Sequence, residues 1–209
     1  TDALSRDILS RVLYGARVSL QVAVAATGLS VLLGVLIGAA AGYMGRWVDE
    51  ALMRLADAFS AFPGILLAVA ITAAFQQRSL TLVFVALGLV GWTNLARIVR
   101  AQVLSLREEE FVQAARALGA GHLRLLFRHI LPNCLAPVIV TATLLIGGNI
   151  LGEAGLSFLG IGVQPPYPSW GGMLAEARDQ LMLHWWMAAF PGAAIALTVL
   201  GFNLLGDAL

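Results

Sequence analysis

Few side chains in this 209-residue sequence have the type and spacing for chemistry. His122, His129 and His184 are too scattered for a ligand set, and Cys134, the single cysteine, allows neither an internal disulfide nor a cysteine-based metal site. All 13 basic residues are arginine. Without lysine there is no P-loop lysine, no Schiff base and no lysine general base. No serine, histidine and carboxylate come together in a pattern that suggests acyl transfer. Asp57, Glu153 and Asp207 fall at the ends of apolar runs, and their positions read as boundaries that water reaches. The chain is expected to be no enzyme and to hold no cofactor or metal. If ATP drives it, another chain must bind the nucleotide.

The elements that carry these residues are apolar. The sequence is 59% hydrophobic and only 12% charged, with a mean hydropathy of +0.85, whereas a soluble domain carries roughly a quarter charged residues. A net charge of +1 gives no clustered basic face for nucleic acid. A bilayer core about 30 Å thick needs about 20 apolar residues in a helix. Five runs approach that length: 18–45, 58–77, 79–96, 133–152 and 185–206. Five such runs in so short a chain argue against buried helices of a soluble protein. The expected fold is an all-α polytopic membrane protein with five transmembrane helices in a single domain, residues 1–209.

Arginine asymmetry sets the expected orientation. One side carries Arg6, Arg11, Arg17, Arg78 and Arg178. The other carries Arg46, Arg54, Arg97, Arg100, Arg107, Arg116, Arg124 and Arg128, so eight against five puts the 97–132 loop in the cytoplasm and the N-terminus outside. Tyr43, Trp47, Trp92, Trp185 and Trp186 sit near run ends, as in aromatic belts. Gly34, Gly38 and Gly42 repeat every four residues along one helix face, and Gly148 and Gly152 repeat the pattern in the fourth run. Such glycines let a second helix approach closely; lining a pore is the other reading.

Residues 97–132 are too polar to span, yet patterned. Ser105 and Glu108 fit a capping box, with Glu108, Glu109 and Glu110 at the positive end of a helix. Phe111, Ala114, Ala115 and Leu118 then form one apolar face, and Gly119 with Gly121 ends the helix. Leu123, Leu126, Phe127 and Ile130 repeat the spacing on a second short helix that Pro132 closes. Two amphipathic helices joined at a glycine suit docking to a partner, since Ala114, Ala115, Ala117 and Ala120 admit a close backbone. They equally suit an interfacial helix lying on lipid.

The run FVQAARALGAGHLRLLFRHILPN resembles the coupling-loop signature of ABC importer permeases. Gln113-Ala114-Ala115 stands at the Glu-Ala-Ala triplet, Gly119 at the signature glycine and Leu131-Pro132 at its ending. Gln113 in place of glutamate and His129 in place of isoleucine depart from it; the His-Ile-Leu-Pro-Asn form is similar to the dipeptide/oligopeptide/nickel branch. TDALSRDILSRVLYGARVSL, EAGLSFLGIGVQPPYPSWGGML and FNLLGD resemble further segments of that branch, in the expected order. Family members usually have one more membrane helix ahead of the first of these, which this sequence lacks.

The resemblance implies a permease subunit that moves peptides, nickel or a related small solute across a bacterial or archaeal cytoplasmic (inner) membrane. It implies as partners a second permease subunit, homologous or identical, two cytoplasmic ATPases that bind ATP and Mg, and an extracytoplasmic solute-binding protein. Gln113, Ala114, Ala115, Gly119, Ala120, Leu131 and Pro132 would transmit force from the ATPases. The external loop, 153–184, is rich in Gly, Pro and aromatics between Ala154 and Ala175. It would face the binding protein or shape an outer gate, or else be a packed loop. The rivals are an ATP-independent channel or secondary transporter and a membrane-embedded enzyme. The first would need ionisable residues within the runs or inverted repeats, which the sequence does not show, although five spans could still make a channel by oligomerising. The second would need a His/Asp/Glu cluster inside a run, which is also absent from the sequence.

Overall fold

The structure, a computed structural model, describes residues 1–2, 4–75 and 79–209. Every regular element among them is helical. Helix α1 (Ile8–Met44) starts where the Asp7 carboxylate accepts the Ser10 amide, and it ends at Gly45, whose φ of +62° suits a residue without Cβ. Helix α2 (Arg46–Ser60) and helix α3 (Gly64–Ala74) meet at 86°. Helix α4 (Leu80–Leu106) is capped by Ser79, and helix α5 (Glu110–Ala117) follows it. A rod, α6 (His122–Phe158), leads through a loop to the short helix α7 (Trp170–Ala177) and then to α8 (Trp186–Ala208).

Among the described residues four helices, α1, α4, α6 and α8, are long and apolar enough to cross a bilayer, giving five spans if α2 and α3 form one bent span. The chain is therefore a multi-pass membrane protein. Residues 58–77 were expected to form one helix. Instead Ala58–Ser60 finish α2, and the chain turns at Pro63, because proline removes an N–H and biases the preceding residue out of the helical region. Gln77 and Arg78 lie outside the described residues.

Helices α1 and α4 form the spine. A Cβ on Gly34 would fall 2.8 Å from the Leu95 Cβ, one on Gly38 would meet the Ala96 carbonyl oxygen, and one on Gly42 would lie 2.9 Å from the Val103 Cβ. The backbones approach here because nothing stands between them. Gly152 likewise lies against Leu87, whereas Gly148 has nothing within 4 Å, so the two fourth-run glycines differ. Ser30 donates to the Gly88 carbonyl, and Asn149 donates to Thr27 Oγ1 at 2.9 Å, tying α1 to α4 and α6. Trp92 does not belong to an aromatic belt. It is 3% exposed and edge-on to Phe59, filling the α2–α4 contact with Ala56 and Ala96.

The two ends differ in their polar ties. At the end holding the N-terminus, Arg11 bridges Asp2 and Glu176, joining the leading segment, α1 and α7. Burial pushes the Asp2 carboxyl up. Hydrogen bonds from the Arg6 backbone and side chain, the Leu4 amide and Arg11 outweigh it, holding the carboxyl at about 2. At the opposite end Arg100 forks Asp49, and Arg97 pairs with Asp57 at 2.9 Å, fastening α2 to α4. Asp57 is thus a boundary residue with a partner, and Asp207 is exposed near the end of α8.

Candidate functional site

The 97–132 segment folds into an elbow on the base of α1 and α4. Its entry differs from the expected capping box. Ser105 lies in the last turn of α4, and Glu109, in extended conformation and without a side-chain cap, precedes α5. The apolar run Val99, Val103 and Leu106 keeps α4 helical past Ser105, and α5 takes its favourable charges from Glu110 in its first turn and Arg116 in its last.

The exit of α5 is a Schellman closure. The Gly119 amide donates to the Arg116 carbonyl and the Ala120 amide to the Ala115 carbonyl, both at 3.0 Å, with Gly119 at φ +86°. Ala115 and Ala120 meet across this closure and pack partly buried against the core below. That core is Val112, Leu125 and Ile130, fully or almost fully buried with Val99, Val103 and Ala39. The inward faces are therefore turned from those expected. Val112 replaces Phe111 and Leu118, and Leu125 joins Ile130 in place of Leu123 and Phe127. A hydrophobic residue is buried only where the base of α1 and α4 meets it, so spacing found a face without finding its direction.

The displaced residues form an exposed apolar tip. Leu118 is 89% exposed and Leu123 73%, with Phe111, Phe127 and Ala114 also outward. Gln113 turns to its own chain: its amide nitrogen donates to the Arg107 carbonyl at 3.1 Å, and its oxygen accepts from Arg116 at 3.3 Å. Arg107 in turn donates to the Gly42 carbonyl at the end of α1, and Tyr43 pairs with His122 Nδ1 at 2.9 Å. Beside these contacts opens a cavity of 640 Å³ lined by Tyr43, Met44, Arg107, Glu108, Arg116, His122 and Leu123.

The second half of the elbow is continuous with a span. Pro132 was expected to close a separate helix, yet His122–Phe158 is one rod. Its turn widens to a π-helix at Leu125–Ile130, where the Leu131 amide donates to Leu126, then tightens to a 3₁₀ turn at Leu131–Cys134. The wide turn takes up the ring and missing N–H of proline, and the Asn133 amide side chain donates to the His129 carbonyl at 2.6 Å. Leu131 is half-buried on this rod and Pro132 exposed, so the second half of the elbow runs without a break into the membrane helix.

Glu153 is not at a water-accessible boundary. It is 0% exposed in α6, five residues before the helix ends, with Ser19 and Ser157 as partners. The available signal was Ser157 one turn on, at i+4 from the only charge of an apolar run. The histidines remain apart, and no group of three His, Cys, Asp or Glu among the described residues could hold a metal.

Comparison with known proteins agrees in sequence and fold. The chain is 48% identical over 209 residues to the dipeptide transport system permease protein DppC of Alkalihalophilus pseudofirmus, spanning all of this chain and 68% of that one. It is 45% identical over 209 residues to the di/tripeptide transport system permease protein DppC of Pseudomonas aeruginosa, again over the whole chain and 69% of the relative. The inward-facing MetNI methionine ABC transporter contains a chain of the same fold, with a TM-score of 0.77 at 17% identity, matching 97% of this chain and 96% of that one. The family model for the binding-protein-dependent transport system inner membrane component matches residues 34–209. With that match spanning α1 to α8, the chain belongs to the family of binding-protein-dependent transport system inner membrane components.

Proposed function

We propose that this chain is the permease subunit of an ATP-driven importer of peptides. The observation that carries the reading is the elbow itself. A Schellman-closed α5 with an exposed Leu118 tip is anchored through Val112 to the spine and continues through Gly121 into a membrane-spanning rod. Force applied at the tip reaches α6 directly and reaches α1 and α4 through packed side chains. The elbow faces the cytoplasm of a bacterial or archaeal cell, on the arginine-rich side of the inner membrane. Two ATPases dock on it and bind ATP and Mg. A second permease completes the pathway, and an extracytoplasmic binding protein delivers the peptide and sets its choice.

In this reading Gln113, Ala114, Ala115, Gly119, Ala120, Leu131 and Pro132 serve coupling in different ways. Gln113 braces α5 against the end of α4, Gly119 with Ala115 and Ala120 shapes the tip, and Leu131 and Pro132 join the elbow to the rod. Leu118 and Ala114 offer the contact surface.

The test uses the complete transporter in proteoliposomes. Gly119→Arg disturbs both the left-handed backbone and the tip, whereas Gly119→Asn keeps a side chain that tolerates this conformation. The arginine variant is expected to insert and assemble normally, yet to lose at least tenfold in uptake per ATP hydrolysed, while the asparagine variant stays near wild type. Equal uptake per ATP in Gly119→Arg and wild type would refute the coupling role.

A further inference from the structure

An ionised or neutral carboxyl inside an apolar helix bundle is costly unless its oxygens are satisfied. Both oxygens of Glu153 are. Ser19 Oγ of α1 donates to Oε2 at 2.9 Å, and Ser157 Oγ, one turn along α6, donates to Oε1 at 2.7 Å. Each serine is itself an acceptor. Ser19 Oγ receives the Trp170 amide at 3.2 Å, and Ser157 Oγ receives the Val163 amide at 3.0 Å. A hydroxyl that accepts from a backbone amide has one proton left to give, and here both protons go to the same carboxyl. Val163 and Trp170 flank the proline-rich turn that leads into α7. Glu153 thus ends two hydrogen-bond chains, and each chain grips one side of that hairpin.

The hairpin lies on the rod with little to spare. A Cβ on Gly171 would fall 2.7 Å from the Ala154 carbonyl oxygen, and one on Gly162 would strike Ser157. The Trp170 indole, 3% exposed, donates to the Val12 carbonyl at 2.9 Å. The turn itself is open, with Tyr167 57% exposed between Pro166 and Pro168. Helix-to-hairpin contact is therefore close at the base and free at the tip.

We propose that Glu153 is a positioning residue for transport, a buried acceptor that through Ser19 and Ser157 seats the 160–177 hairpin on α1 and α6 and so presents its tip as a fixed external surface. The role in transport rests on the permease reading above; the seating does not. A carboxyl suits the position because it offers two acceptor oxygens and both serines arrive as donors. Glutamine keeps one acceptor oxygen and turns an NH₂ donor toward the other serine. That hydroxyl can accept it on its second lone pair, but its own proton then loses its acceptor in a buried site, so one arm must reorganise.

The experiment uses the full transporter with Cys134→Ala and Val163→Cys as an accessibility reporter. Val163 is 6% exposed, Cys134 is the single cysteine of this sequence, and labelling is read on this chain after separation from its partners. A membrane-impermeant maleimide added outside is expected to label the reporter at least tenfold faster in Glu153→Gln than in the parent. The double variant Ser19→Ala, Ser157→Ala should show the same gain, and Glu153→Asp a smaller one. Uptake titrated against loaded binding protein is expected to show a KM raised several-fold with maximal rate less affected, whereas a general folding defect would lower the rate alone. Parental labelling in both the glutamine and the double-serine variants would overturn the seating. Faster labelling with unchanged uptake kinetics would overturn its role in transport. Absence of ATP-dependent uptake by the parent complex would count against the permease reading instead, and the labelling rates would still decide the seating.

Discussion

Gly38 and Gly148 look alike in sequence, each a glycine in an apolar helix with another glycine four residues on, yet they predict opposite outcomes. A Cβ at Gly38 meets the Ala96 carbonyl, a backbone atom that cannot rotate away, while a Cβ at Gly148 meets nothing. Gly38→Ala should therefore destabilise the folded chain by about 1–3 kcal/mol, the range for overpacking. Gly148→Ala should be neutral or stabilise by up to about 1 kcal/mol through helix propensity. Thermal unfolding of the detergent-solubilised chain checks both, and a loss at Gly148 as large as that at Gly38 would refute the account. The same scale governs the Asn149–Thr27 pair, buried between α6 and α1. Thr27→Val leaves the Asn149 NH₂ without that acceptor and is expected to cost about 0.6–2 kcal/mol, the range for interhelical polar pairs in bilayers.

Elements show why some of the structure was legible in the residues and some was not. The long apolar runs announced α1, α4, α6 and α8 because a bilayer demands uninterrupted hydrophobicity, and Gly119 announced the end of α5 because few residues take its backbone angles. Direction is another matter. Period places Phe111, Ala114 and Leu118 together, but only the α1–α4 base decides that Val112 faces inward. Pro132 signalled a stop, and the fold answered with a π turn and Asn133, a repair that depends on three-dimensional neighbours. Glu153 was misplaced for a similar reason, since its serine Ser19 lies far away in sequence. The α2 elbow offers a check at this scale. Arg100 and Asp49 pair two-pronged and partly buried, so a double-mutant cycle with Arg100→Met and Asp49→Asn should return a coupling of about 1 kcal/mol. Zero coupling would mean that this pair adds nothing to the Trp92–Phe59 contact and the Arg97–Asp57 pair in holding α2 on α4.

At the scale of the molecule, a spine of α1 and α4 carries the elbow at one end and the hairpin at the other, and the two ends are tied by electrostatics of different character. Arg97 and Asp57 are both largely exposed, 41% and 61% by side chain, so salt reaches between them. Asp2 and Arg11 are 3% and 15% exposed, and little salt does. Raising ionic strength to about 1 M shortens the screening length to about 3 Å, which should loosen α2 while leaving the leading segment in place. Acid acts on the other end. The Asp2 carboxyl is depressed from its ordinary value of 3.8 to about 2, so the stability it contributes is present above pH ~4 and is lost as pH falls through about 2. Hydrogen-exchange protection of the amides in residues 4–8, taken against the intrinsic rate at each pH, should thus be flat from pH 7 to pH 4 and fall only below that. Asp2→Asn should expose the segment already at pH 7. Unchanged protection of residues 4–8 at neutral pH in Asp2→Asn, with or without 1 M salt, would show that the leading segment is held by packing of Ile8 against Met173, Ala177 and Met187. The charge network would then merely decorate it.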